Sequence, residues 1–201
     1  MESDLIRVLH DHYKDSFSHI RDHEKKRDQY FLVNIFLIGA LFFQINYPSD
    51  FLKALGQLTI FGADINIASL PLGALLSITW TLHLVFTLRY CQHSLFVERQ
   101  YDYLHLLEQK ISEAIGEKGV YRREGAAYLE NYPPFTTWAW LFYVGVFPAI
   151  VFVSVAVLQY IEISSGPYQW PYKLYDVLMA IGITTSYVLY RLVPVIRKKK
   201  A

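Results

Sequence analysis

The sequence predicts an all-α integral membrane protein: a four-helix bundle whose first two spans extend into a cytoplasmic helical stalk. Three observations predict it. Long stretches carry no charge, two of them join polar segments without an intervening glycine or proline, and lysine and arginine are shared unevenly among the connecting segments.

The uncharged stretches are Gln29–Ser49, Ile65–Leu88 and Asn131–Ile161, and a fourth apolar stretch, Leu174–Ile196, is interrupted by Asp176 and Arg191. Each reaches about 20 residues, the length that crosses about 30 Å of hydrocarbon at 1.5 Å per residue. They predict spans over 30–47, 67–89, 137–160 and 174–195, flanked by a cytoplasmic helix over 1–29 and a cytoplasmic helical loop over 90–136. A soluble bundle would keep a polar face on each helix, and these stretches do not. One membrane domain covering 1–201 is expected, with no linker inside it. The first 29 residues are polar and lack the short basic and apolar regions of a signal peptide, so the first span is expected to remain in the mature chain.

The segment before span one holds six basic residues, the segment from Arg89 to residue 136 holds six, and the stretch from Arg191 onward holds five; Lys53 and Lys173 stand in the other two loops. The split of 17 against 2 places both termini in the cytoplasm. Tyr47, Tyr160, Tyr168, Trp170 and Tyr172 read as outer interface aromatics, and Tyr30, Tyr90, Trp138 and Tyr190 as inner ones.

No glycine or proline falls between Ser3 and Ile38 or between Ala74 and Ile115, so spans one and two can continue as unbroken helices. Ile6, Leu9, Tyr13, Phe17 and Ile20 repeat at helical spacing, as do Leu104, Leu107, Ile111 and Ala114. Each cytoplasmic region mixes seven acids with six bases, the pattern of helices that pack on helices and not of a basic membrane-surface helix. Gly116 to Gly119 should end the second long helix, and Tyr132-Pro133-Pro134 should redirect the chain into span three. Ser49 to Asp64 reads as a short interfacial helix with Phe51, Leu52, Leu55 and Leu58 on one face. Ser164 to Pro167 reads as the turn between spans three and four. Pro148 should kink span three by freeing the carbonyl of Val144.

Function classes narrow from composition. Hydrophobic residues are 53% and charged residues 18%, against roughly 25% charged in soluble domains, which disfavours an ordinary cytosolic enzyme. A net charge of +1 offers no basic field, so no direct nucleic-acid partner is expected. The single cysteine, Cys91, excludes an intramolecular disulfide and a cysteine-based zinc site. His12, Asp15, His19 and His23 share a face with spacing that suits a divalent metal, but read better as a solvated or packing face, and no metal or cofactor is expected. Arg7 with His12 and Arg99 with His105 resemble the Arg/His pairs of HEPN-type ribonucleases, a spacing that any helix rich in both residues produces. No nucleotide, hydrolase or metalloprotease motif is present, and Asp176 reads as an isolated carboxylate at the outer edge, so the chain reads as a non-enzyme.

Polar residues inside the spans carry more information, because each is costly in lipid without a partner. Asn34, His83, Thr87, Thr184, Thr185, Ser186, Tyr187 and Arg191 gather toward the cytoplasmic half. Thr79, His83 and Thr87 recur every four residues along span two. Asn34, Thr79, His83, Thr87 and Arg191 are therefore candidates to line a pore or cavity; interhelical hydrogen bonding, with Arg191 snorkelling, is the structural alternative. Phe17, Leu104, Leu107, Arg122 and Arg123 are candidate partner contacts on the stalk.

The runs Tyr103-Leu-His-Leu-Leu-Glu108, Arg123-Glu-Gly-Ala-Ala-Tyr-Leu-Glu-Asn-Tyr-Pro133 and Phe147-Pro148 resemble small four-span bacterial membrane proteins of the kind that accompany anti-phage systems such as CBASS, retrons or CRISPR accessory operons. The resemblance implies a membrane effector that forms a pore or depolarises the cell, and no catalytic residue. The expected function is a homo-oligomeric membrane effector in contact with lipid, triggered through its cytoplasmic region by a cytosolic protein or a signalling ligand, in a bacterial inner membrane. The alternative is a non-conducting anchor or scaffold that recruits a cytosolic partner. Lys198-Lys199-Lys200-Ala201 also fits a dilysine signal of the endoplasmic reticulum, although a positive-inside stop explains the same residues.

Overall fold

The computed structural model describes residues 2–55, 71–117, 135, 138, 141–165 and 168–198. Among them the chain is all-helical: α1 (Glu2–Asn46), α2 (Pro48–Leu55), α3 (Leu72–Ile115), α4 (Phe147–Ser165) and α5 (Trp170–Lys198), with a π-helical turn over Phe142–Val146 leading into α4. Three helices, α1, α3 and α4, are long and apolar enough to cross a membrane. The segment expected as a fourth span, 174–195, lies within α5.

The long helices form as their residues dictate. α1 and α3 run 45 and 44 residues, without an interior proline to remove a ladder bond. Pro48, whose missing N–H costs nothing at a first helical position, opens α2. α3 stops where expected: Gly116 adopts φ +72°, a left-handed residue just past the helix, and its N–H reaches the Glu113 carbonyl at 3.2 Å. The irregularity expected at Pro148 takes the form of the π turn, since a residue without an N–H leaves the carbonyl of Val144 unserved and the ladder widens just before it. Of the helix expected over Ser49–Asp64, the part up to Leu55 is α2; residues 56–64, with Leu58, lie outside the described residues. Arg122, Arg123, the segment 121–134 and residues 199–201 also lie outside them.

The chain divides into two compact units, residues 1–29 with 90–145 and residues 30–89 with 146–201. In the first, the polar unit, the N-terminal part of α1 and the C-terminal part of α3 pair antiparallel. Tyr13 Oη donates to Glu108 Oε1 at 3.1 Å, and Tyr101 Oη donates to Glu24 Oε1 at 3.2 Å. Ile20, Val97 and Leu104 form the buried cluster between them, with Tyr13, Phe17 and Tyr101 packed against it. Leu107 and Ile111 are buried as well. Packing of this kind, and not helix propensity alone, holds such a pair together.

The second, apolar unit contains the remainder of α1 and α3 with α4 and α5. Its distribution of polarity is the reverse of a soluble bundle. Leu32, Phe36, Ile78, Val153, Leu178 and Ile181 are exposed, whereas Asn34, Gln44, His83, Thr87, Glu162 and Asp176 are buried. A bundle in lipid turns apolar side chains outward and its few polar ones inward. Gly73 permits the close approach of α3 to α5: a Cβ there would sit 2.6 Å from Cδ2 of Tyr172.

Candidate functional site: a buried polar cluster in the apolar unit

α3 supplies most of the cluster because its buried face repeats every three and four residues. Leu76, Trp80, His83 and Thr87 follow one another on that face, with Ser77 and Thr79 beside them. Each polar member then meets a neighbouring helix. Thr87 Oγ1 donates to Asn34 Oδ1 at 3.0 Å, and Asn34 Nδ2 returns to the Tyr30 carbonyl at 2.8 Å. Gln44 Nε2 donates to Thr79 Oγ1 at 2.9 Å, while the Thr79 hydroxyl donates to the Leu75 carbonyl at 3.0 Å.

Trp80 makes the longer reach. Its Nε1–H donates to Glu162 Oε2 at 3.1 Å, and Gln159 Nε2 donates to the same oxygen at 3.4 Å. Asp176, on α5, lies beside Glu162, and Ser77 lies beside Asp176. Both carboxyls have no exposed surface. Tyr168, between α4 and α5, donates its hydroxyl proton to the Gln44 carbonyl at 3.2 Å. Burial, together with the charges of Glu162 and Asp176, pushes its phenol up to about 12, so it stays a donor.

The pair Glu162 and Asp176 corrects the expectation of an isolated Asp176. A third span over 137–160 leaves Glu162 beyond its end, but α4 continues to Ser165 and carries it inside the helix. A signal was available: the two acids flank the turn between consecutive helices, Glu162 three residues before the end of α4 and Asp176 six residues into α5. Tyr168 is a second correction, because it is buried and hydrogen-bonded and not an interface aromatic. Tyr90 and Tyr190 are buried too, whereas Tyr47, Tyr160 and Trp170 are exposed as interface anchors would be.

Of the candidate lining residues, Asn34 and Thr87 are brought together, and Thr79 is joined to Gln44. His83 is fully buried, its ring 6.2 Å from that of Trp80, and neither ring nitrogen has a hydrogen-bond partner. Arg191 is exposed. Its long side chain can carry the charge outward, as snorkelling requires. Thr184 and Ser186 are half-buried, and Ser186 Oγ bonds back to the Gly182 carbonyl at 2.7 Å.

In the polar unit, His23 Nδ1 and His93 Nδ1 lie 2.9 Å apart, and the His23 ring stacks on Phe96 with centroids 3.7 Å apart. His12 and His19 are exposed. Among the described residues no group of three or more His, Cys, Asp or Glu is placed to hold a metal. No family model, curated protein or solved structure matches the chain.

Proposed function

We propose that the chain is an integral membrane effector. It sits in the bilayer through the apolar unit, assembles with copies of itself, and changes membrane permeability when the polar unit receives a protein or small-molecule signal. The supporting observation is the polar interior of the apolar unit. Asn34, Gln44, Ser77, Thr79, His83, Thr87, Gln159, Glu162 and Asp176 are all buried there, and an anchor has no need of so costly an interior. Because Asn34, Thr79, His83 and Thr87 are buried within one chain, a path lined by them runs through the protomer and not along a seam between copies. In this reading α5 is the fourth span, and the 17-to-2 division of basic residues keeps both termini in the cytoplasm. The resemblance to small bacterial membrane proteins of anti-phage systems supports a role in defence at the inner membrane.

The scaffold reading has its own support. The Asn34–Thr87 and Gln44–Thr79 bonds satisfy polar groups inside one chain, as structural glue would. Expression in bacteria with a potential-sensitive dye and propidium iodide separates the two, with and without co-expression of a neighbouring cytosolic protein as trigger. Depolarisation or dye entry is expected. A normal potential in both conditions, at a membrane level verified by fractionation, leaves the scaffold. Orientation is read independently: in a Cys91→Ser background, cysteine at Ser165 should react with an impermeant thiol reagent in intact cells, and cysteine at Ser112 should not.

A further inference from the structure

Glu162 and Asp176 lie where the helices of the apolar unit begin and end. Glu162 is three residues before the end of α4, Asp176 six residues into α5, and Ser77 five residues into α3. The two carboxyls supply four oxygens, and only Glu162 Oε2 is engaged, by Trp80 and Gln159. Glu162 Oε1 and both oxygens of Asp176 have no hydrogen-bond partner. Two neutral oxygens are equally bare: Ser77 Oγ, beside Asp176, and Gln159 Oε1, on the amide whose nitrogen already points at Glu162. Ser77 and Gln159 are each 8% exposed. Five buried oxygens from α3, α4 and α5 thus gather here, and the Ser77 hydroxyl beside Asp176 is the one O–H among the two neutral groups.

Among the described residues no basic side chain pairs with this group. The Trp80 N–H is committed to Oε2, and the Tyr168 hydroxyl to the Gln44 carbonyl. Lys173, the one cation among the described residues whose charge reaches Glu162, rests its ammonium on the Ile163 carbonyl at 3.1 Å. Two adjacent carboxylates away from water repel each other and lose their hydration, so the arrangement calls for a positive occupant. A donor set made only of oxygen, with no thiolate or imidazole, favours hard cations over transition metals.

We propose that Glu162 and Asp176, with Ser77 and Gln159, bind a hard cation ligated by oxygen alone, of the Na⁺ or Ca²⁺ class. The Trp80 and Gln159 donors on Oε2 orient Glu162 so that Oε1 faces the ion. The site lies within two turns of the helix ends, where a bare ion needs to cross little hydrocarbon. This binding does not depend on whether the chain conducts.

The test uses the purified full chain in detergent. It is stripped of cations in choline chloride with chelator at pH 8, then titrated at constant ionic strength with Na⁺ or with Ca²⁺. Thermal unfolding and tryptophan emission are followed together. A saturable rise in Tm with either ion, accompanied by a change in emission, is expected, and the ion that saturates identifies the occupant. The E162Q/D176N double variant should lose the response while remaining helical and monodisperse. Should that variant fail to fold, Ser77→Ala, which removes one neutral oxygen and no charge, should raise the half-saturating concentration about tenfold. A Tm that follows pH but neither cation would replace the ion with a shared proton. A cation response that survives in the double variant, or an unchanged midpoint in Ser77→Ala, would place binding elsewhere. The absence of any response would overturn the proposal.

Discussion

The Trp80 indole N–H donates to Glu162 Oε2 at 3.1 Å, between two side chains with no exposed surface. That bond ties α3 to α4 across 82 positions of sequence and fixes one half of the carboxyl pair. Trp80→Phe keeps much of the ring volume and deletes the donor. It should cost about 1–3 kcal/mol, the penalty of leaving a buried acceptor unserved. Trp170→Phe, at an exposed position (68%), should cost nothing measurable. Equal unfolding free energies of the two variants in bicelles would remove the bond from the account.

Asn34 and Thr87, both fully buried, form a bond between α1 and α3. A double-mutant cycle with Asn34→Leu and Thr87→Val should return a coupling of about 0.6 kcal/mol and no more than about 1.7, the range of such bonds in membrane bundles. Zero coupling would mean that the two residues act separately.

The long apolar helices were legible because charge is costly in lipid, and the gaps in charge therefore mark them directly. Gly116 and Pro148 were legible for equally local reasons. The carboxyl pair was not. Glu162 carries a charge, and a reading that ends a span at the first charge excludes it from the bundle; only packing shows that α4 turns it inward toward Asp176 and Trp80. Tyr168 shows the same ambiguity, since a tyrosine at a span's edge suits the headgroup region and a buried hydrogen bond equally well. In the polar unit, the apolar stripe of Leu104, Leu107 and Ile111 was evident, whereas the Tyr13–Glu108 bond was hidden by the polarity of its members.

The polar unit should depend on that stripe. Leu104 is fully buried and Leu107 nearly so, with Phe17 packed against the same cluster. Leu104→Ala should cost about 2–5 kcal/mol. Phe17→Asp and Leu107→Asp should open the helical pair outright by burying an unpaired charge, with membrane insertion retained. Limited proteolysis of the membrane-inserted chain reads this directly: new cleavage sites should appear within residues 1–29 and 90–117. Unchanged cleavage of all three variants would contradict the packing described.

The His23–His93 contact makes the polar unit sensitive to pH. A hydrogen bond between two Nδ1 atoms needs one ring to donate and the other to accept, so it fails when both carry a proton. Burial, with Lys26 and His19 nearby, pushes the His23 imidazole below its ordinary value of 6.5. The unfolded chain therefore binds the proton more readily than the folded one. The stabilisation is fully present above pH 6.5 and is lost as pH falls through the lower folded value. Proteolytic protection of residues 1–29 should drop between pH 7 and pH 5, and His23→Phe, which preserves stacking on Phe96, should flatten the change. A profile identical to that of the parent chain would assign the sensitivity to another group.

His83 separates stability from function within the apolar unit. Its ring is fully buried against Trp80, and both nitrogens lack a partner, so the folded state bears a desolvation cost with nothing in return. His83→Leu removes that cost and fills a similar space. Its unfolding free energy should equal or exceed that of the parent chain. If the Thr79, His83 and Thr87 stripe opens to water when the effector is triggered, the same variant should lose dye entry while its oligomer size is unchanged. A stable variant with full dye entry would exclude the stripe from the permeation path. A variant that loses stability would show instead that the imidazole has a partner inside the bundle.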